Sequence, residues 1–273
     1  MANSQKTDGA FVGSIPKLYD EYLVPLIFEP YAVEMTKRVV LRRPSQVLEI
    51  AAGTGVVTRH LANDLGPSAS IVASDLNQPM LDQAAAAGTS RPVEWEQADA
   101  MSLPFEDGAF DVVVCQFGVM FFPDKAKAFS EARRLLRPGG TFIFNVWDRI
   151  DRNDFANTVT SALEQVFPDD PPRFMARIPH GYHDCLTIKQ DLVAGGFTLP
   201  AEITTVTARS RANSPHIPAT AFCQATPLRS EIEARDASKL KEATDVAAAE
   251  IAKRFGSGTV TGQIQAHIVI VER

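Results

Sequence analysis

Between Gln46 and Asp148 the chain sets short apolar runs among stretches with helical spacing. The runs are "QVLEIAA", "SIVASDL", "VEWEQAD", "FDVVVCQFGVMFF" and "TFIFNVWD"; the helical stretches are "VVTRHLANDLG", "PMLDQAAAAG" and "DKAKAFSEARRLLRPGG". Few architectures accept such a pattern. A short run that is apolar throughout reads as a strand buried on both faces. Strands alternating with helices give a parallel sheet covered by helices on both sides, with right-handed crossovers. The punctuation agrees. Pro79 fits a first helical turn, where its missing N–H costs nothing, Gly66 ends one helix, and Pro138-Gly139-Gly140 are expected to end another. In open sheets of this kind ligands bind beyond the carboxyl ends of the strands.

The flanks read differently. "SIPKLYDEYLVPLIFEPYAVEMTKRVV" has mixed helical spacing and is expected to form short helices broken at Pro25 and Pro30, the last ending near Arg42-Arg43-Pro44. After Asp148, "DFANTVTSALEQVFP" is helical, and "PPRFMARIPHGYHDCLTIKQDLVAGGF" is a loop followed by a helix closed at Gly195-Gly196. "EITTVTARS" alternates like a strand, "PLRSEIEARDASKLKEATDVAAAEIAKRFG" is helical in two pieces, and "VTGQIQAHIVIVER" is a last strand. The two late strands are expected to pair at the sheet edge, with the helical inserts as a cap over the ligand end. No internal repeat or low-complexity tract is present.

With 273 residues, the chain can bury a substantial core. A formal net charge of −6 argues against a nucleic-acid partner. No apolar stretch approaches membrane-spanning length, and "MANSQKTDGAFVGS" lacks a signal-peptide hydrophobic region, so a cytoplasmic protein with no membrane partner is expected. Cys115, Cys185 and Cys223 show neither metal-ligand spacing nor a disulfide framework, and no metal site is expected.

The first run leads into "VLEIAAGTGVVT", where Gly53 and Gly55 follow directly on an apolar strand. A dinucleotide fingerprint, G-x-G-x-x-G/A, fails at its third small residue, because Thr58 stands there. A P-loop fails because no Gly-Lys-Ser/Thr follows. Four stretches in order, "LEIAAGTG", "ASDLNQPML", "QADAMSLPFEDGAFDVVVCQFGVMFF" and "EARRLLRPGGTFIF", resemble the motifs of the class I S-adenosylmethionine (SAM)-dependent methyltransferases. The likeness is to the small-molecule branch similar to the ubiquinone/menaquinone-biosynthesis enzymes, and it covers roughly residues 45–150.

That resemblance implies a doubly wound, Rossmann-like α/β sheet of seven strands with an antiparallel last strand and a helical cap. Residues 1–44 are expected to be an N-terminal helical lid, 45–150 the SAM-binding core, and 151–273 cap inserts plus the two C-terminal strands of the same domain. The cofactor would be SAM, its product S-adenosylhomocysteine. Glycines without Cβ let the Gly53-Thr54-Gly55 backbone approach a ligand, and the methionine tail can meet backbone groups near the following helix N-terminus. Ala51 stands where the family often has glycine, and Glu49 is expected to orient the loop through backbone N–H groups. Asp75 would accept the ribose hydroxyls, Leu76 and Met80 would flank the adenine, and Asp99 with the Ala100 N–H would read its edge. Gln116 and Phe117 would border the transferred methyl, and Tyr19 and Tyr22 would belong to the lid.

The acceptor carries no signature of its own. Gln116-Phe117-Gly118 replaces the Asn/Asp-Pro-Pro-Tyr/Phe of enzymes that methylate DNA bases or glutamine amides. The apolar side chains of the inserts over 151–260, among them Phe155, Phe167, Phe174, Met175 and Phe222, lead to the expectation of a small, hydrophobic or aromatic methyl acceptor, with the chain a monomer or homodimer. "PHGYHD" (179–184) offers His183 as a general base, with His180 in reserve. Two other classes stay open: an NAD(P)-linked Rossmann oxidoreductase, and a SAM-binding protein without catalysis.

Overall fold

The structure, a computed structural model, describes residue 11 and residues 13–273. The opening residues 1–10 and 12, where the sequence shows no signal-peptide region and where the expected 1–44 lid begins, lie outside the described residues.

Seven strands form one sheet: β1 Gln46–Ile50, β2 Ser70–Asp75, β3 Glu94–Gln97, β4 Phe110–Gln116, β5 Leu136–Trp147, β6 Glu202–Ala212 and β7 Val260–Glu272. Their order is β3-β2-β1-β4-β5-β7-β6. The first five are parallel, with Leu48 beside Val72 on one side and Val113 on the other. The final strand runs antiparallel, as the resemblance implied. It lies inside the sheet, between β5 and β6, and β6 takes the edge. The burial patterns explain that choice. The second half of β7 is almost continuously buried, whereas β6 alternates between exposed and half-buried positions, as an edge strand can.

The chain packs as two compact units. One contains Pro30–Val146, Tyr182–Val206 and Ala266–Arg273; the other contains the chain up to Glu29, Trp147–Gly181 and Thr207–Gln265. β6 and β7 contribute residues to both. In the first unit the core lies on the parallel strands. Val47, Leu48, Val112, Val113 and Val114 are buried beside a cluster of Phe129, Phe142, Phe144 and Phe197, with Phe142 and Phe144 ring centroids 4.9 Å apart. Each such side chain contributes about 1.5–3 kcal/mol when fully buried. In the second unit the helices Asp154–Val166, His216–Gln224 and Leu240–Phe255 pack on one another.

Three local expectations are corrected. Pro25 and Pro30 do not break the N-terminal helices. Tyr19–Phe28 forms a π-helix that contains Pro25, and Pro30 sits in the first turn of helix Glu29–Val40, where the lack of an N–H is tolerated. The helix expected to run to Pro138-Gly139-Gly140 stops at Leu135, and those residues already belong to β5. Leu136 pairs with Phe110 across a register shift, and a Cβ at Gly140 would lie 2.9 Å from the Arg137 carbonyl and 3.0 Å from that of Asp111. The glycine therefore serves a kink in a strand. A short helix, Phe174–Arg177, interrupts the expected loop. Helix His216–Gln224 forms in a stretch to which the sequence reading assigns no element, and Pro215 and Pro218 occupy its N-cap and first turn, where proline is tolerated. Among the described residues no helix is long and apolar enough to cross a membrane.

Candidate cofactor site

The loop leaving β1 turns back on itself through three left-handed residues, Ala51 (φ 55°), Gly53 (φ 58°) and Gly55 (φ 81°). Gly55 is the N-cap of helix Val56–Asp64. The Ala52 N–H donates to the Ser74 carbonyl (2.9 Å), and the Gly55 N–H to that of Ala52 (3.0 Å). The two glycines serve different ends. A Cβ on Gly55 would lie 3.1 Å from Ala84 Cβ and 3.2 Å from the Trp95 ring, so this position allows the loop to close on helix Gln78–Ala87 and β3. A Cβ on Gly53 would meet only the Met80 methyl, at 3.5 Å, so here the backbone conformation excludes side chains and the space beside it stays clear. Ala51 holds a conformation that ordinarily costs a non-glycine residue about 1–2 kcal/mol.

Two buried carboxyl groups fix this loop. Asp75, at the end of β2, accepts the Gly53 N–H on Oδ2 (2.9 Å) and the Asn77 N–H on Oδ1 (2.8 Å). Burial raises its pKa, and those backbone donors oppose the shift. Glu49 lies within β1, 1% exposed. Its Oε2 accepts the Thr58 hydroxyl at 2.5 Å. Burial pushes its pKa up to about 8, against the smaller opposing effects of Thr58 and Arg59. Glu49 was expected to hold backbone N–H groups. The structure has it hold a side chain of the following helix instead, because a carboxyl on a central strand points into the helix layer and away from the turn beyond it. Arg59 adds a bond from Nη1 to the Thr54 carbonyl (2.6 Å).

At the neighbouring strand end the chain is strained again. Phe117, directly after β4, has φ 51°, and its N–H donates to Asn145 Oδ1 at 2.8 Å. Its ring meets Tyr31 edge-on with centroids 5.3 Å apart. Three buried polar atoms around these strand ends have no hydrogen-bond partner among the described residues: Thr54 Oγ1, Gln116 Oε1 and Asn145 Nδ2. Native interiors contain few such atoms, and each calls for a ligand, a water or a functional reason.

The remaining sequence-derived residues fall as follows. Leu76, beside Asp75, is 57% exposed, while Met80 is buried. Asp99 closes its own turn, accepting the Met101 N–H on Oδ1 (2.9 Å), and Ala100 is buried next to it. Tyr19 stacks on Phe28 with centroids 5.1 Å apart, and Tyr22 is half-buried with its phenol pKa raised by a hydrogen bond with Glu21. His180 is buried, with Nδ1 2.8 Å from the Asp148 carbonyl and its ring 6.0 Å from that of Trp147. A carbonyl can only accept, so Nδ1 carries the proton and the basic lone pair lies on Nε2. His183 is half-buried; its neighbour Asp184 caps helix Cys185–Ala194, and Tyr182 donates to Asp191 Oδ2 (2.7 Å). "PHGYHD" is thus divided between the two units, His180 in one and His183 in the other. Asn145 escaped notice in the sequence. Its signal was a single amide in the apolar run "TFIFNVW".

Comparison with known proteins bears on this arrangement. Residues 48–144 match the family model described as a methyltransferase domain. The chain is similar to the ubiquinone/menaquinone biosynthesis C-methyltransferase UbiE of Idiomarina loihiensis, 36% identical over 131 residues, or 46% of this chain and 49% of that one. The chain spans about half the length of the first such curated relatives it matches. Among solved structures, the YcgJ protein of Bacillus subtilis shares the fold with a TM-score of 0.56 at 16% identity, covering 89% of this chain and 98% of that one. The [4+2]-cyclase SpnF shares it with a TM-score of 0.52 at 20% identity, covering 87% of this chain and 80% of that one. The fold therefore extends over nearly the whole chain, while the sequence likeness is concentrated on β1 to β5.

Proposed function

We propose that this chain is a SAM-dependent methyltransferase acting on a small, hydrophobic or aromatic acceptor. The observation that carries the reading is the loop itself: Gly53, left-handed and clear of neighbouring backbone, is tied by its N–H to the Asp75 carboxylate. The residues present fit the cofactor. Asp75 Oδ2 accepts one short backbone bond and keeps lone-pair capacity for a ribose hydroxyl, while Oδ1 takes both the N–H and, at 3.4 Å, the Nδ2 of Asn77. Thr54 Oγ1 and Gln116 Oε1 are buried without partners among the described residues, a hydroxyl and an acceptor suited to a ligand that bears both an ammonium and a carboxylate. Leu76 offers an exposed apolar surface next to Asp75, suited to an adenine.

When bound, SAM supplies a methyl group on a sulfonium, ready for in-line displacement. The chain's part is to hold the reacting groups in line, and binding alone can supply much of the acceleration. Where the acceptor must lose a proton, His183 and His180 are the candidate bases. The Asp148 carbonyl supports His180 by leaving the basic lone pair on Nε2. The names of the similar UbiE proteins support an acceptor of the quinone-precursor kind, compact and aromatic.

Calorimetry against S-adenosylhomocysteine and NAD separates the cofactor classes. Binding of the first and not the second is expected, and the reverse would refute the reading. Transfer of a labelled methyl group from SAM to an acceptor library then distinguishes an enzyme from a binding protein.

A further inference from the structure

The sheet interior beside the loop holds an amide that packing alone does not explain. Asn145 is fully buried in β5, in register with Gln116 of β4. Its Oδ1 accepts the N–H of Phe117, one residue beyond that pairing, at 2.8 Å. The bond identifies Oδ1 as the amide end facing Phe117, because a backbone N–H can only donate. Nδ2, at the other end, has no partner among the described residues. An asparagine kept only to fill a core would be replaced by leucine with no unmet donors.

What the Oδ1 bond holds is a strained turn. Phe117 has φ 51°, in a region that bulky residues avoid. The turn leads at once into Gly118, where no side chain can exist: a Cβ there would fall 2.5 Å from Ala51 Cβ and 2.8 Å from Cys115 Sγ. Ala51 is the first residue after β1 and is itself left-handed at φ 55°. The turn after β4 and the turn after β1 are thus in direct contact, alanine methyl against glycine.

We propose that Asn145 is a positioning residue for the cofactor loop. Its Oδ1 holds Phe117 left-handed, Phe117 seats Gly118 against Ala51, and Ala51 sets where Gly53 and Thr54 present themselves. The inference rests on the reading of that loop as the SAM site.

The test compares variants that keep or remove the acceptor atom. Binding of S-adenosylhomocysteine is measured by calorimetry, and the Phe117 backbone conformation by crystallography of the cofactor-free protein. Asn145→Leu removes the acceptor and is expected to lower affinity about tenfold or more, the equivalent of one hydrogen bond of about 1.4 kcal/mol, with Phe117 leaving the left-handed region. Asn145→Asp keeps the oxygen and is expected to retain affinity to within about threefold at a pH where the buried acid is protonated. Adding Phe117→Gly to Asn145→Leu supplies a residue that adopts positive φ unaided, and is expected to return position 117 to the left-handed region in the crystal structure, so the rescue is read as conformation and not as affinity. A purely structural amide would not be rescued in this way. Unchanged affinity in Asn145→Leu overturns the proposal, as does equal loss in Asn145→Asp, which would assign the role to Nδ2. If Asn145→Leu fails to fold, Asn145→Asp and Asn145→Ser decide, since serine shortens the reach to Phe117 and should weaken binding where aspartate does not. A wild-type protein that binds no S-adenosylhomocysteine while Phe117 still moves in Asn145→Leu overturns the cofactor reading and leaves the Asn145–Phe117 coupling standing.

Discussion

Substituting Glu49 by glutamine should remove a pH dependence that the fold builds into β1. Burial raises the Glu49 pKa from an ordinary 4.5 to about 8, so the group is protonated in the folded chain at neutral pH. A carboxyl raised on folding contributes stability that is complete below its unfolded value and lost as pH rises towards its folded value. Between those limits the unfolded chain has released the proton and the folded chain has not, so stability falls by about 1.4 kcal/mol per pH unit. From about pH 5.5 to about pH 7.5 the loss is about 2–3 kcal/mol on this account. Glutamine can still accept the Thr58 hydroxyl that now reaches Glu49 Oε2, but it does not titrate. Subtracting the Glu49→Gln profile from the wild type therefore cancels every other titrating group and leaves Glu49. The assay is urea unfolding followed by Trp95 fluorescence in a Trp147→Phe background, since the chain has two tryptophans and Trp95 lies on β3 in the same unit as Glu49. The variant should gain about 2–3 kcal/mol on the wild type over that range. Parallel profiles would refute the reasoning, and would mean that Arg59 keeps Glu49 ionised despite its burial.

Asp75→Ala should weaken S-adenosylhomocysteine binding at least about tenfold by calorimetry, and should also lower stability by about 2 kcal/mol, because the Gly53 and Asn77 N–H groups lose their acceptor; an unchanged dissociation constant would remove Asp75 from the cofactor model. Gly53→Val places a β-branched residue at φ 58° and should abolish binding, so a folded variant that still binds would mean the loop faces something else. With a true acceptor, alanine at whichever of His180 and His183 is the base should lower turnover by about 10²–10⁴-fold with SAM affinity unchanged. Full activity in both single variants and the double variant would dismiss general-base catalysis at these residues.

Much of the fold was legible because parallel-sheet strands carry it in composition. "VVVC" and "FIF" can only be buried, and Pro79 needs no context to be read at a helix start. What escaped reading depended on partners distant in sequence. The last strand enters the sheet interior because it is buried along half its length, yet "VTGQIQAHIVIVE" does not say which strands it will separate. Pro138-Gly139-Gly140 looked like a helix stop, and only the nearby Asp111 and Arg137 carbonyls make it a strand kink. Pro25 looked like a break, and the π-helix that absorbs it has no sequence period of its own.

The site divides along the same line. Gly53, Gly55 and Asp75 drew attention by residue type, and the structure joins them in one turn, the Gly53 N–H on Asp75 and Gly55 against Ala84 and Trp95. The supporting shell was not legible in that way. Glu49 works through Thr58, nine residues on in the sequence, and Asn145 works through Phe117, whose left-handed backbone leaves no mark in the letter F. Asp75 shows why the two layers cannot be separated by mutation alone. The carboxylate expected to bind ribose is also the acceptor that ties down Gly53, so removing it disturbs the loop before any ligand arrives. Asp75→Asn resolves the ambiguity in part. It keeps an oxygen for one backbone donor while turning an NH₂ toward the other, so the loop should loosen on one side only. If affinity falls as far in Asp75→Asn as in Asp75→Ala while stability falls less, the excess loss belongs to the ligand. If both quantities fall in proportion, Asp75 acts on the cofactor through the shape of the loop.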